Sequence, residues 1–201
     1  MLGTRNEHKR REFLRLLPGW ELDTPGAEVV LPAEDGDTFA ANALLKARAV
    51  AAATGRATIA EDSGLEAAAL GGAPGVRSAR YAAIGEANAS DVENLAKLRR
   101  EAPVGSALRY VCALVYLDPE SGAEEVFEGT CQGTMAPEPR GAGGFGYDPV
   151  FLPDAGPDGL TMAELSDAQK DEISHRGHAV RGMRRWLEAH PAAGRASTPA
   201  R

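Results

Sequence analysis

Two adjacent acids, Glu61 and Asp62, follow a short apolar run that begins at Ala57. Open α/β folds bind their ligands at the carboxyl ends of strands, so a buried strand of this kind would deliver both carboxylates to the rim of a sheet. Successive strand side chains point to opposite faces. The two acids are therefore expected to differ, one facing a cleft and the other supporting it or reaching a metal from the side. The alternative is a solvated strand end with a turn at Ser63-Gly64.

The segment Thr4-Arg5-Asn6-Glu7-His8-Lys9 places a hydroxyl, a carboxamide and a lysine on the first turn of a helix predicted from about Asn6 to Leu17. Thr4 is the expected N-cap of this helix. Helix N-termini carry unpaired N–H groups and a partial positive charge, so this turn suits a phosphate group. The alternative is a capped helix with basic residues on its surface.

A second predicted helix, from residue 39 to about residue 54, follows an acidic loop and is capped by Asp37 or Thr38. Asn42 and Lys46 are four residues apart and therefore share one face of this helix. A lysine in this position either faces solvent or, paired with Asn42 beside the acidic loop, holds a phosphate.

The loop Gly143-Gly144-Phe145-Gly146-Tyr147-Asp148 surrounds an aromatic ring with glycines, which lets backbone N–H groups and the ring approach a flat ligand closely. Phe145 would stack on a base and Asp148 would hydrogen-bond its edge. The alternative is an ordinary glycine loop. His175 and Arg176 precede the last predicted helix, where they would contact phosphate or base, or would simply be basic residues near a helix start.

The remaining pattern predicts the strands and helices that position these side chains. Residues 107–117 form the strongest predicted strand, and residues 124–132 form its antiparallel partner. Further strands are predicted over residues 20–24, 28–31 and 149–153, and further helices begin at residue 90 or 91, at 161 or 166, and after 178. We find no internal repeat and no linker between independent domains.

Composition limits the classes of protein to consider. The chain has 201 residues and a net charge of −7, which argues against a nucleic-acid partner because phosphate-backbone binding needs a basic face. No run approaches the roughly 20 apolar residues of a membrane span. Cys112 and Cys131 lack metal-ligand spacing and are expected to be buried and reduced. These features predict a cytoplasmic protein.

Taken together, the motifs resemble those of the inosine triphosphate pyrophosphatase family, also described as dITP/XTP pyrophosphatases. The matching segments occur in the family's order and cover nearly the whole chain. They are Thr4–Lys9, Thr38–Ala43, Glu61–Leu65, Gly71–Gly75, Ser78–Tyr81, Gly143–Pro149 and Ile173–Gly177.

The resemblance implies an α/β fold with a mixed, twisted central sheet flanked by helices, and two lobes with a substrate cleft between them. Residues 1–190 would form this single two-lobed domain, and residues 191–201 a disordered tail. The implied activity is Mg²⁺-dependent hydrolysis of a nucleoside triphosphate to the monophosphate and pyrophosphate, with ITP, dITP and XTP as substrates. A homodimer is implied as well.

The resemblance also assigns site residues by position. Asp62 resembles the general base and a metal ligand, Glu34 the other acidic metal ligand, and Ser63 a substrate contact. The positions that match phosphate and nucleobase contacts are Thr4, Arg5, Asn6, Glu7, His8, Lys9, Lys46, Phe145, Gly146, Tyr147, Asp148, Lys170, His175 and Arg176.

Two other interpretations stay open at this point. The first is a related pyrophosphatase that acts on modified pyrimidine or other aberrant nucleotides, which would share the metal and phosphate positions. The second is a nucleotide-binding module without catalysis, against which the acids at Glu34 and Asp62 argue.

Overall fold

The computed structural model describes residues 1–83 and 89–193. Its helices and strands alternate along the chain with short 3₁₀ turns at Ala68–Leu70, Gly75–Arg80 and Asp148–Val150. In chain order the main elements are α1 (Glu7–Leu16), α2 (Phe39–Thr54), β1 (Thr58–Ala67), α3 (Asp91–Glu101), β2 (Ala107–Asp118), β3 (Ala123–Met135), β4 (Phe151–Pro153), α4 (Asp167–Ile173) and α5 (His175–Ala189).

The four strands form one sheet in the order β1-β2-β3-β4. Strands β3 and β4 are antiparallel, with Gly133 opposite Pro153 and Met135 opposite Phe151. A single parallel bridge joins Leu2 to Ile59 of β1. The predicted α/β fold is confirmed, with a four-stranded antiparallel sheet to which the Leu2 bridge adds the parallel pairing, whereas the cleft between two lobes stays a prediction.

The chain divides into two compact units, each with its own apolar core. The first unit comprises Met1–Asp62, Cys112–Gly129 and the chain from Arg176 onward, and the second comprises Ser63–Val111 and Thr130–His175. In the first core, Phe13 of α1 and Val180 of α5 pack with residues of β1 and β2. The second core contains Leu98 of α3 and Phe151 of β4.

Helix α2 forms where the sequence offers a run of alanine and leucine between two clear end signals. The Thr38 hydroxyl accepts a hydrogen bond from the N–H of Ala41, and Gly55 ends the helix in the left-handed conformation, with φ at 65°. Buried alanines at positions 43 and 47 let the helix pack closely. Asn42 and Lys46 are buried beside them. The second predicted helix and its cap are confirmed.

Four local predictions are wrong, and one of them is the start of the last helix, which begins at His175 rather than after residue 178. The N-cap of α1 is Asn6 rather than Thr4, because the Asn6 side chain accepts from the N–H groups of both His8 and Lys9. The predicted strands over residues 20–24 and 28–31 are absent from this described part of the chain. Strand β1 does not turn at Ser63-Gly64 but continues to Ala67, so the two acids lie inside a strand.

None of the helices in the described ranges combines the length and the apolar character that a membrane span requires. At the C-terminal end, residues 191–193 form a turn, and the Ala193 carbonyl accepts a hydrogen bond from Tyr116. The rest of the predicted tail, residues 194–201, lies outside the described residues.

Helix α4 depends on a capping box that offers a direct test. The Ser166 side chain accepts from the N–H of Gln169, and the Gln169 side chain accepts from the N–H of Ser166. Replacing Ser166 with alanine removes one of these bonds, so we expect Ser166→Ala to lower the free energy of unfolding by about 1 kcal/mol. Ser166→Asp keeps an acceptor and should stay near wild type. Urea unfolding measures both, and equal stability of Ser166→Ala and wild type would contradict the assignment.

Candidate active site

Glu61 is a buried carboxylate that connects β1 to both terminal helices. Its side chain is 1% exposed. Lys9 of α1 places its Nζ 2.6 Å from Glu61 Oε1, and Arg176 of α5 places a guanidinium nitrogen 3.6 Å from Oε2. Arg176 also donates to the carboxylate of Glu12, which is buried on α1. The buried acids and cations therefore alternate along one chain of ion pairs.

These cations decide the charge state of Glu61. Burial alone would raise the pKa of this carboxyl, but Lys9, Arg176 and Lys46 together outweigh burial and hold its pKa well below the usual range. The Cys112 thiol, 3.7 Å from Glu61 Oε2, responds in the opposite direction, because burial and the neighbouring anion raise its pKa. Glu61 is thus an anion near neutral pH, and Cys112 is a neutral thiol.

Asp62 follows Glu61 in β1 and contacts a different set of side chains. The Asn42 amide donates to Asp62 Oδ2 at 3.1 Å, and Lys46 Nζ lies 3.6 Å from Oδ1. Burial and the nearby anions Glu61 and Glu34 raise the pKa of Asp62, against the opposing pull of Lys46 and Lys9. A carboxylate with a raised pKa accepts a proton more readily, which is the property a general base needs.

Lys46 joins Asp62 to the acidic loop before α2. Its Nζ donates to Glu34 Oε1 at 2.8 Å, so one ammonium group contacts both carboxylates that the motifs assign to a metal. Burial would lower the pKa of Lys46, yet Asp62, Glu61 and Glu34 raise it overall, and the lysine stays charged. We refer to Lys9, Glu34, Lys46, Glu61 and Asp62 as the Asp62 cluster.

The rest of the Thr4–Lys9 turn is mostly occupied by local structure. The buried Thr4 hydroxyl accepts from the N–H of Asn6, and Asn6 caps α1. Arg5 donates to the carbonyls of Val29 and Gly26 and so holds the following loop. Glu7 and His8 are exposed, with Glu7 3.6 Å from Arg10 and His8 hydrogen-bonded to Arg11.

The second unit contains a separate buried ion pair. Lys170 of α4 donates to Asp148 Oδ2 at 2.7 Å, and both side chains are almost fully buried. The N–H of Phe145 donates to the same oxygen at 2.9 Å, and Lys170 Nζ lies 5.2 Å from the centre of the Phe145 ring. Tyr110 of β2 donates to Asp148 Oδ1 and stacks on His175. We refer to Tyr110, Phe145, Asp148, Lys170 and His175 as the Asp148 cluster.

The glycine loop is shaped to reach Asp148. Gly144 has φ at 69°, and a Cβ there would stand 2.0 Å from Asp148 Oδ2, so only glycine fits beside the carboxylate. The N–H of Gly146 donates to Asp91 at the start of α3. Tyr147 is buried and donates to the Ser78 carbonyl.

The structure therefore gathers the predicted residues into two groups. Lys9, Glu34, Lys46 and Asp62 meet in the first unit, and Phe145, Asp148, Lys170 and His175 meet in the second. Arg176 contacts Glu12 and Glu61, and Ser63 is the half-buried first residue of the second unit.

Sequence reasoning missed Glu12 and Tyr110. A signal for Tyr110 was its place in the strongest predicted strand of a chain with only 5% aromatic residues.

With this geometry established, comparison with known proteins places the chain in a family. The model of the Ham1 family matches residues 1–186. The chain belongs to this family, and the resemblance inferred from the motifs is confirmed.

Individual relatives match over almost their whole length. The dITP/XTP pyrophosphatase of Symbiobacterium thermophilum is 44% identical over 96% of this chain and 94% of its own, and that of Geobacillus kaustophilus is 47% identical over 94% of each. Among solved structures, the Ham1 protein of Staphylococcus aureus is 36% identical, with a TM-score of 0.77 over 94% of this chain and 97% of its own. The Coxiella burnetii HAM1 protein is 37% identical, with a TM-score of 0.78 over the same shares.

The lowered pKa of Glu61 predicts how stability changes with pH. Its contribution is complete above the ordinary glutamate pKa of about 4.3 and is lost as the pH falls further, towards the lowered pKa of the folded state. Glu61→Gln leaves Lys9 and Arg176 with a missing anion, so we expect a loss of about 3–5 kcal/mol near neutral pH and a weaker loss of stability on acidification than in wild type.

Urea unfolding between about pH 7 and pH 3 measures both effects. Glu124→Gln is the matched control, because Glu124 also pairs with an arginine, the exposed Arg48, at 2.6 Å. Exposed pairs contribute little, so this variant should stay close to wild type. A Glu61→Gln protein as stable as Glu124→Gln would contradict the assigned role of the buried network.

Proposed function

We propose that the protein hydrolyses non-standard purine nucleoside triphosphates, namely ITP, dITP and XTP, to the monophosphate and pyrophosphate. It would thereby remove deaminated purines from the nucleotide pool. The enzyme class predicted from the motifs, a nucleoside triphosphate pyrophosphatase, is confirmed by relatives 44% and 47% identical that are dITP/XTP pyrophosphatases. The proposal retains the homodimer that the resemblance implies and the cytoplasmic location that the composition predicts.

The observation that carries the proposal is the buried Asp62 between Asn42 and Lys46. A triphosphate bears about four negative charges, so attack by water at phosphorus is repelled unless cations gather at its oxygens. Lys9 and Lys46 supply fixed positive charge next to a carboxylate whose pKa is raised. Lysines that attract phosphate and a carboxylate that accepts a proton are the groups such a hydrolysis requires.

The Asp62 cluster also fits Mg²⁺. This ion takes one or two protein carboxylates and completes its shell with water and phosphate oxygens, so it does not need a cage of many protein ligands. Glu34 and Asp62 converge on the single ammonium of Lys46, and their oxygens are the donor type that the ion prefers. When bound, Mg²⁺ would neutralise phosphate charge at these carboxylates.

The reaction that these residues support is a direct displacement by water. Asp62 accepts a proton from the water while the oxygen of that water forms a bond to the α-phosphorus. The bond from this phosphorus to the bridging oxygen breaks, and pyrophosphate leaves. Lys9 and Lys46 hold the phosphate oxygens.

Asp62→Asn tests the assigned base. A positioned general base contributes roughly 10²–10⁴-fold, so we expect kcat for ITP to fall by about that factor. The dissociation constant for the nucleotide should change much less, because asparagine has nearly the same shape. Pyrophosphate release and calorimetric nucleotide binding measure the two quantities.

Asp118→Asn is the matched control for this variant. Asp118 is also buried in the first unit, but it accepts hydrogen bonds from the Glu120 and Ser121 N–H groups in the turn after β2. Its replacement should leave kcat unchanged. If Asp62→Asn turns over ITP as fast as Asp118→Asn, Asp62 is not the base.

Selectivity for the base would come from the Asp148 cluster. Hypoxanthine and xanthine carry an acceptor at position 6 where adenine carries a donor. A donor from Lys170 or His175, or an N–H of the glycine loop, would form a hydrogen bond with the 6-oxo group. In adenine the same donor would face the 6-amino group, which is itself a donor. Sites built on such hydrogen bonds reject a mismatched analogue by up to about 10⁴–10⁵. Guanine shares the 6-oxo group, so its exclusion requires a contact at its 2-amino group.

A pyrophosphate-release assay over ITP, dITP, XTP, GTP, ATP and pyrimidine triphosphates tests the proposed function. We expect the highest kcat/KM for the deaminated purines, and activity with Mg²⁺ that EDTA abolishes. Equal values for ITP and ATP would contradict the proposed selectivity. A maximum among the pyrimidines would point to the related pyrophosphatase, and nucleotide binding without any pyrophosphate release would point to a binding module.

A further inference from the structure

We infer that Tyr110 is a positioning residue that sets the base selectivity of the Asp148 cluster by fixing Asp148, Lys170 and His175 together. The inference rests on the proposed function, because it names a residue that orients the proposed base contacts. Tyr110 lies in β2, is 6% exposed and belongs to the second unit together with the residues it contacts.

The hydroxyl group of Tyr110 completes the hydrogen bonding of Asp148. It donates to Asp148 Oδ1 at 3.0 Å, while Oδ2 accepts from Lys170 Nζ at 2.7 Å and from the N–H of Phe145 at 2.9 Å. Donors on both oxygens prevent the carboxylate from rotating about its terminal bond. Because Lys170 is bound to that carboxylate, the direction of its remaining N–H bonds is fixed as well.

The ring of Tyr110 acts on the other side of the cluster. It stacks on His175 with ring centroids 4.7 Å apart and planes 10° from parallel. It also contacts the Phe151 ring, 4.6 Å away in the core. The imidazole therefore lies against a ring that the core and Asp148 already hold in place. One side chain thus orients two candidate donors to the base.

The neighbouring loop leaves little room for another arrangement. The backbone at Gly144 passes so close to Asp148 that a Cβ would stand 2.0 Å from Oδ2 and 2.9 Å from Lys170 Nζ. Only glycine, which has no Cβ, can occupy this position beside the two side chains. If the hydroxyl of Tyr110 is lost, Asp148 Oδ1 lacks this donor inside the core, and the carboxylate can turn only by taking Lys170 with it.

Other buried tyrosines give the contrast that makes this role specific. Tyr116 donates to the Ala193 carbonyl, and Tyr147 donates to the Ser78 carbonyl, so each of these hydroxyls ties side chain to backbone. Tyr110 instead donates to a carboxylate that holds a cation. Loss of its hydroxyl would therefore alter the direction of charged groups in addition to removing one hydrogen bond.

Tyr110→Phe tests this role because it removes the hydroxyl and keeps the stacked ring. Hydrogen bonds to charged groups are the strong class, so we expect KM for ITP to rise about tenfold or more with kcat within about twofold of wild type. The ratio of kcat/KM for ITP to that for ATP should fall by a similar factor. Tyr110→Leu, which also removes the stack on His175, should lower the ratio further.

Tyr116→Phe is the matched control, since it removes one buried hydroxyl from the same strand but outside the cluster. It should keep the wild-type ratio. A Tyr110→Phe enzyme with an unchanged ratio overturns the inference, and so does an equal loss of kcat/KM for every nucleotide, because a merely structural defect lowers all substrates alike. Equal kcat/KM for ITP and ATP in the wild type would instead contradict the proposed function, and the inference would fall with it.

Discussion

The burial of one carboxylate, Glu61, is the interaction on which the first unit depends. Removing a carboxylate from water costs several kcal/mol, and only well-placed cations offset that cost. Lys9 on α1 and Arg176 on α5 provide them, and Arg176 is held in turn by Glu12. The two terminal helices must therefore lie where their cations reach the middle of β1. The apolar contacts of Phe13 and Val180 hold the same helices in the core with β1 and β2, so charge and packing act together.

The same network separates the properties of two neighbouring acids. Glu61 faces the cations and keeps its negative charge, whereas Asp62, beside Asn42 and Lys46, has its pKa raised by burial and by the anions around it. Environments that shift the pKa values of two acids in opposite directions are a common basis for dividing work between them. In the proposed reaction, Glu61 serves structure and electrostatics, and Asp62 accepts the proton. Glu61 and Asp62 carry the same carboxylate group, so the difference between them comes from their surroundings.

The parts of the fold that the sequence predicts well are those with local signals. Helix α2 has a capping threonine, an alanine-rich interior and a terminal glycine, and β2 is a long apolar run, so each is determined by neighbours in the chain. The failures are non-local. Residues 20–24 and 28–31 were expected to be strands, but they lie in a loop in which Arg5 binds the carbonyls of Gly26 and Val29. Strand β1 was expected to end at its acids, because acids normally leave the interior. One of the cations that stabilise Glu61 in the interior, Arg176, is more than a hundred residues away in the sequence. Tyr110 was missed for the same reason, since its partners follow it by 38 and 65 positions.

The strict alternation of side chains along β1 makes the strand unusually intolerant of changes in length. Deleting one residue before Glu61 would turn Asp62 towards Lys9 and Arg176 and would present Ser63 to Asn42 and Lys46. A carboxylate would still fill the position between Lys9 and Arg176, so the protein would retain much of this support, but the proposed proton acceptor would be missing beside Lys46. Replacing aspartate with glutamate, or the reverse, changes a side chain by one methylene. An insertion or deletion instead moves each residue into the surroundings of its neighbour. We therefore expect the spacing of this strand to be a tighter constraint on the enzyme than the choice between aspartate and glutamate.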